Sequence, residues 1–281
     1  MSLSSINAVI TGATGGIGAA VAEGLVSHGA KAVVTGRDQR ALEELVLRID
    51  PMRKSTLAVT ADLADAADRT RLCTAARNWQ GGVNTLINIA GVAGFGMFAN
   101  EAPEEIDRAF EVNALAPLQL CLVFIQHLLS QPDAHIVNVG SVFGTIAYPG
   151  YTVYSATKFA LRGFSEALRR ELSDTNVRVH YLAPRSTRTK FNSRAVEALN
   201  EQFGVAMDPP ERVAACLLDM LARDRAEAVI GWPEKLFARL NALVPRLVDR
   251  ALAKQLPAIR QYAAGRDSNA PQIHSFSRKV S

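Results

Sequence analysis

The chain has 281 residues, 48% of them hydrophobic and 21% charged, with Gly 19 and Pro 12. That composition excludes collagen-like, low-complexity and largely disordered chains, and the length suits one large α/β domain. The net charge of +4 is uneven: residues 231–281 hold nine Lys/Arg against three Asp/Glu, which leaves −2 for the first 230 residues and is too mild for a dedicated nucleic-acid binder.

The opening Met-Ser-Leu-Ser-Ser-Ile-Asn carries neither a basic n-region nor a long apolar h-region. No run of about 18 uncharged apolar residues is read anywhere, so an unexported, cytoplasmic protein is expected. Cys73, Cys121 and Cys216 are odd in number, far apart and set in apolar-periodic stretches. They are read as three buried thiols, with no disulfide and no metal site.

Short β-branched runs at 8–10, 31–35, 56–60, 84–88, 135–139, 177–182 and 228–230 predict strands, and amphipathic stretches at 16–28, 38–49, 65–79, 103–131 and 151–173 predict helices. Strand and helix alternating at this spacing imply right-handed crossovers and a doubly wound parallel sheet with helices on both faces. Residues 1–230 form that unit. Within it, 185–208 lacks a strand signal and reads as a substrate loop or lid, and Asp208-Pro-Pro-Glu211 opens a further helix with Pro in its first turn. Residues 231–264 form a helical extension, and 265–281 reads as a polar, mobile end.

The first strand runs into Thr11-Gly12-Ala13-Thr14-Gly15-Gly16-Ile17-Gly18. Glycines let the backbone turn sharply and approach a pyrophosphate at a helix N-terminus, although a tight turn without ligand uses the same residues. After the second strand, Arg37 is placed to pair with a ribose 2′-phosphate, which favours NADP(H) over NAD(H), while the neighbouring Asp38 keeps the 2′-hydroxyl reading open. Asp62, after the third strand, suits an adenine amino group or a helix N-cap. Tyr154 and Lys158, four apart, share one helix face, and the cation is expected to lower the phenol's pKa toward neutrality. Ser141 lies just past the fifth strand, where its hydroxyl can donate to a substrate carbonyl.

In order and spacing, Thr11 to Gly18, Asp62, Asn88-Ile89-Ala90-Gly91, Asn113, Ser141, Tyr154, Lys158 and Pro184 resemble the short-chain dehydrogenase/reductase family over roughly residues 5–230. The resemblance implies a Rossmann-like fold and hydride transfer between a nicotinamide and a carbonyl or alcohol. Tyr154 would be the acid/base, Ser141 would orient the carbonyl, Lys158 would hold the nicotinamide ribose, and Asn113 would hold a water leading from Lys158 to solvent. The cofactor set so implied is Gly12, Thr14, Gly16, Ile17, Gly18, Arg37, Asp62, Leu63, Asn88, Ala90, Gly91, Tyr154, Lys158, Pro184, Thr187 and Thr189. Three positions depart from the pattern: Ile89 replaces an asparagine, Gly15 stands where NADP-specific members often carry a cation, and Arg185 replaces a glycine after Pro184.

The expected substrate wall is Val142, Phe143, Ile146, Tyr148, Tyr151 and Phe191, with ordinary core packing as the alternative for these side chains; with Ser141 they suit a lipophilic ketone or secondary alcohol and a place in lipid metabolism. One rival is a 3-oxoacyl thioester reductase whose acyl carrier meets Arg169 or Arg170; another is a non-catalytic NADP-binding sensor or scaffold. A homodimer or homotetramer is expected. In the extension, Leu236, Phe237, Leu240, Leu243, Val244 and Leu247 segregate from Lys235, Arg239, Arg246 and Arg250, and Pro245 divides it into two helices. This basic amphipathic pattern fits docking on the protein's own core or pocket mouth, an oligomer contact, or peripheral attachment to a membrane surface.

Overall fold

The computed structural model describes residues 2–264, so the expectation for 265–281 lies outside the described residues. In chain order its elements are β1 (Asn7–Thr11), α1 (Gly16–Ser27), β2 (Lys31–Gly36), α2 (Gln39–Ile49), β3 (Thr56–Thr60), α3 (Ala66–Asn78), β4 (Thr85–Asn88), α4 (Pro103–Phe110), α5 (Ala116–Leu129), β5 (Ala134–Val139), α6 (Thr152–Glu171), β6 (Val177–Ala183), α7 (Arg194–Gln202), α8 (Pro210–Ala222), β7 (Glu227–Val229), α9 (Trp232–Leu243), α10 (Pro245–Ala253) and α11 (Leu256–Ala264).

Every strand pairing is parallel, in the order β3-β2-β1-β4-β5-β6-β7. The strands are nearly continuous apolar runs because both faces are covered. Along β1, Ala8 and Ile10 point to a core shared with α1, α2 and α8, while Val9 points to the opposite core of α3, α5 and α6. Strand order reverses between β1 and β4, so the carboxyl ends of the strands open a crevice there.

Four local features differ from the expectations. The single helix expected over 103–131 is α4 and α5 joined by a π-helical turn at Glu111–Leu115, because Pro117 has no N–H to give the Asn113 carbonyl. This helical stretch is long and apolar enough by composition to cross a membrane, contrary to the sequence reading, and it spends Leu120, Cys121, Phe124 and Leu128 on the core. The 185–208 excursion contains α7, capped by Ser193, whose hydroxyl accepts from the Val196 amide. Cys73 and Cys121 are buried as expected, whereas Cys216 of α8 is only half-buried at the edge of the core.

The extension makes three helices, since Pro257 breaks the chain again as Pro245 does. Val248 of α10, with Ala238, Leu240 and Leu252 beside it, packs on Val142 and Ile146 just after β5. Asn241 Nδ2 donates to the Thr145 carbonyl at 3.2 Å. Farther along, α11 sets Ile259 (0% exposed) and Ala263 against Phe95, Val196 and Leu199, so it covers the outer end of α7. Docking on the protein's own surface is thus realised for these side chains.

Candidate active site

A cleft of about 1100 Å³ runs along the carboxyl ends of the strands from the glycine turn to α7. Gly12 has φ of +65°, and a Cβ there would lie 2.8 Å from the Ala90 Cα. A Cβ on Gly18 would lie 2.2 Å from the Gly12 carbonyl oxygen. Only glycine fits both. The N-terminus of α1 carries no side-chain cap and no acidic residue in its first turn, which leaves its amides suited to an anion. Thr11 Oγ1 accepts from the amides of Ile89 (2.9 Å) and Ala90 (3.1 Å), fixing the end of β4 beside the glycine turn.

Thr14, Gly16, Ile17, Arg37, Asp62, Leu63, Ala90, Gly91, Pro184, Thr187 and Thr189 all line the cleft with Gly12 and Gly18. Asp38, the acidic neighbour of Arg37, caps α2 by accepting from the Ala41 amide at 3.1 Å. Asp62 does not cap α3, a role taken by Asp65; it accepts instead from the Ala64 amide.

Asn88 is a correction. Its amide donates to Asn138 Oδ1 at 2.9 Å inside the sheet and Asn88 is absent from the cleft wall, so the expected cofactor contact does not fit the orientation of this side chain. Asn113 is fully buried behind Gly91: Oδ1 accepts from the Val92 amide (2.7 Å), and Nδ2 donates to the Val92 carbonyl (3.0 Å) and to Thr157 Oγ1 (3.3 Å). It lies within the π-helical turn and is absent from the cleft wall.

Ser141, Tyr154 and Lys158 meet in the cleft. Ser141 Oγ accepts from the Phe143 amide at 3.1 Å, which fixes the hydroxyl at the start of the turn after β5. Lys158 is 4% exposed, donates to the Val139 carbonyl at 3.2 Å, and holds Nζ 5.7 Å from the Tyr154 ring centroid. Burial pulls the Lys158 ammonium down to about 8. Burial also pushes the Tyr154 phenol up to about 12, against the opposing hydrogen bond with Ser141. The direction at Tyr154 runs against the expectation that Lys158 lowers the phenol, because desolvation of the buried ring is the larger effect and disfavours the phenolate.

The substrate end is aromatic. Phe143 stacks on Tyr148 (5.1 Å, 13°) and tilts against Tyr151 (4.9 Å), while Phe191 meets the Tyr154 ring edge-on at 6.1 Å. Phe143, Tyr148, Tyr151 and Phe191 line the cleft as expected; Ile146 instead faces the extension. Tyr148 donates its hydroxyl to Gln255 Oε1 at 2.5 Å, tying the wall to the segment before α11.

Arg185 needs no glycine conformation, since it is not among the described residues with positive φ. Its guanidinium makes a bidentate pair with Asp208. Asp208, Gln255 and Ile259 were not singled out in the sequence as site residues; Asp208-Pro-Pro signalled only a helix start, and the other two reach the site through contacts of long sequence separation. At the opposite end of the sheet, His135, His180 and Asp224 come within 4.8 Å of one another, a grouping of metal-capable side chains that the sequence did not suggest. There His135 Nδ1 and His180 Nε2 lie 2.9 Å apart.

Comparisons with known proteins agree with this geometry. Residues 7–200 match the family model described as short chain dehydrogenase. The chain is 32% identical over 253 residues to the uncharacterized oxidoreductase YxnA of Bacillus subtilis, covering 88% of this chain and 71% of that protein. A short chain dehydrogenase/reductase from Burkholderia phymatum, solved in complex with NAD, superposes with a TM-score of 0.80 at 26% identity over 88% of this chain and 96% of that one. A short-chain dehydrogenase from Sphingobium yanoikuyae, solved with NADPH, gives 0.74 at 28% identity over 98% of this chain and 100% of that one. The chain is an oxidoreductase belonging to the short-chain dehydrogenase/reductase family.

Proposed function

We propose that the protein transfers hydride between NADP(H) and a hydrophobic ketone or secondary alcohol, with reduction as its working direction. The observation that carries this reading is the convergence of Ser141, Tyr154 and Lys158 in the cleft that the glycine turn opens. A dinucleotide fits that cleft by the close approach at Gly12 and Gly18 and by the uncapped N-terminus of α1. Arg37 lines the adenosine end while Asp38 is spent on its helix, which supports the 2′-phosphate over the 2′-hydroxyl.

A bound reduced nicotinamide supplies the hydride. At neutral pH a phenol held near 12 keeps its proton, so Tyr154 can give it to the carbonyl oxygen as negative charge develops there. Ser141, fixed by the Phe143 amide, orients that oxygen. Lys158, with a pKa near 8, holds a proton at Nζ one helical turn from the phenol. The aromatic wall excludes water and receives the apolar part of the substrate.

The exposed apolar side chains of Leu115, Leu122 and Phe159 support association with a second copy. The thioester rival, whose acyl carrier would meet Arg169 or Arg170, is distinguished from this reading by turnover. A pure NADP sensor has no use for the Ser141–Tyr154–Lys158 grouping. Turnover with NADPH and with NADH against ketones of graded chain length, acyl thioesters included, tests the proposal. Rates that rise with apolar length and prefer NADPH support it, and the absence of turnover with every carbonyl overturns it.

A further inference from the structure

Fifteen large hydrophobic side chains are exposed among the described residues, and six of them fall within residues 232–247. These are Trp232, Leu236, Phe237, Leu243, Val244 and Leu247, with Leu243 at 79%, Trp232 at 73% and Leu247 at 58% exposure. The inward side of this hairpin is already settled by Ala238, Leu240, Asn241, Val248 and Leu252, which pack on or bond to the turn after β5. At about 100° per residue, Lys235, Arg239, Leu243 and Leu236 then share the outward arc of α9. On α10 the outward arc holds Arg246, Leu247, Arg250 and Lys254. Exposed Leu243 and Val244 form an apolar tip where the helices meet.

Bare apolar side chains interleaved with cations at every turn select among occupants. Residues 232–254 carry five Lys/Arg against two Asp/Glu. A two-fold contact with a second copy would set this arc against itself and oppose cation to cation. An anionic bilayer meets both halves of the pattern: the apolar side chains enter the acyl boundary while the long cationic stems reach phosphate level. With 12 residues in α9 and 9 in α10, neither helix can span a bilayer, so the contact lies along the surface.

We propose that the α9–α10 hairpin docks the protein peripherally on an anionic lipid surface. The opposite face of the same hairpin packs against Val142 and Ile146, so docking holds the turn that follows Ser141 one helix layer from the lipid surface. This inference stands without the substrate assignment, because lipid binding is read without turnover.

The test is co-sedimentation of the full chain with vesicles of phosphatidylcholine alone and of phosphatidylcholine mixed with phosphatidylglycerol. Expected is binding to the mixed vesicles that weakens at least about tenfold in Leu243→Glu/Leu247→Glu and in Arg246→Glu/Arg250→Glu, and that falls with salt. None of these four side chains lies in the cleft wall or the core, so both variants keep the wild-type melting temperature and NADPH affinity. A full chain that stays in the supernatant with both vesicle types overturns the proposal, as do variants that bind like the wild type. Loss of an oligomer by light scattering with vesicle binding unchanged also overturns it and assigns the face to a second copy.

Discussion

Arg185 and Asp208 face each other across the base of the 186–207 excursion, with Nε 2.9 Å from Oδ2 and Nη2 2.8 Å from Oδ1. Arg212 reaches the same carboxylate at 2.9 Å, and the Asp208 amide donates to the Ser186 carbonyl, so one buried side chain joins both ends of the loop that carries α7. The hydrogen bond from Arg185, chiefly, holds the Asp208 carboxyl below its ordinary range. Its stabilisation is therefore complete above the ordinary carboxylate value and is lost as pH falls through the lowered one. Asp208→Asn should destabilise the protein by about 2 to 4 kcal/mol, since it strands a partly buried guanidinium. Limited proteolysis checks the location: cleavage should rise within 186–207 and raise KM more than it lowers kcat.

Tyr154→Phe keeps the ring that meets Phe191 edge-on and removes only the proton donor. Turnover should fall by about 10² to 10⁴, the usual contribution of a general acid. Cofactor affinity, measured by nicotinamide fluorescence, should stay near the wild-type value. A correctly folded variant with wild-type kcat would remove Tyr154 from the reaction.

Arg37→Ala separates the two cofactors. NADPH binding should weaken by about 1.5 to 3 kcal/mol, the range of a hydrogen bond to a charged group, while NADH binding hardly changes. Parallel titrations with both nucleotides decide it, and an equal loss for both would make Arg37 an ordinary surface cation.

The buried pair of His135 and His180 sets an acid limit. Burial lowers the pKa of both, and mutual repulsion lowers that of His135 further; Asp133, Asp224, Arg178 and Arg169 are the charged groups around them. The unfolded chain binds protons on both rings near the ordinary value of about 6.5 while the native pair stays neutral, so stability is lost as pH falls below that value. The slope is at most about 1.4 kcal/mol per pH unit for each ring. His135→Asn should flatten the fall in melting temperature between about pH 6.5 and 4.5, whatever it does to stability at pH 7.

The sheet was legible because its determinants are local: the continuous apolar run of β1 and the glycine turn after it each lie within a few residues of what they specify, whereas α7, capped by Ser193 inside a stretch without a strong apolar period, was not. The grouping of Ser141 with Tyr154 and Lys158 was legible because a strand end and one helix face fix all three. Pairings across the fold were not. Whether Asn88 turns toward a cofactor or toward Asn138 depends on a neighbouring strand, and whether Lys158 lowers the Tyr154 phenol depends on how dry their surroundings are. The partners of Arg185 and Tyr148 lie in the distant Asp208 and Gln255, which no spacing rule connects to them.

The wall built by Gln255 and α11 is made after the nucleotide end of the cleft. During synthesis the N-terminal part of a chain emerges and folds first. The glycine turn, Arg37 and Asp62 are therefore available to a nucleotide well before Ile259 and Ala263 reach Phe95 and α7. A chain stopped before Leu256 keeps Ser141, Tyr154 and Lys158 but leaves the aromatic end unroofed. Loss of α11 therefore uncovers the aromatic end of the cleft while leaving the nucleotide end and the proton-transfer groups in place.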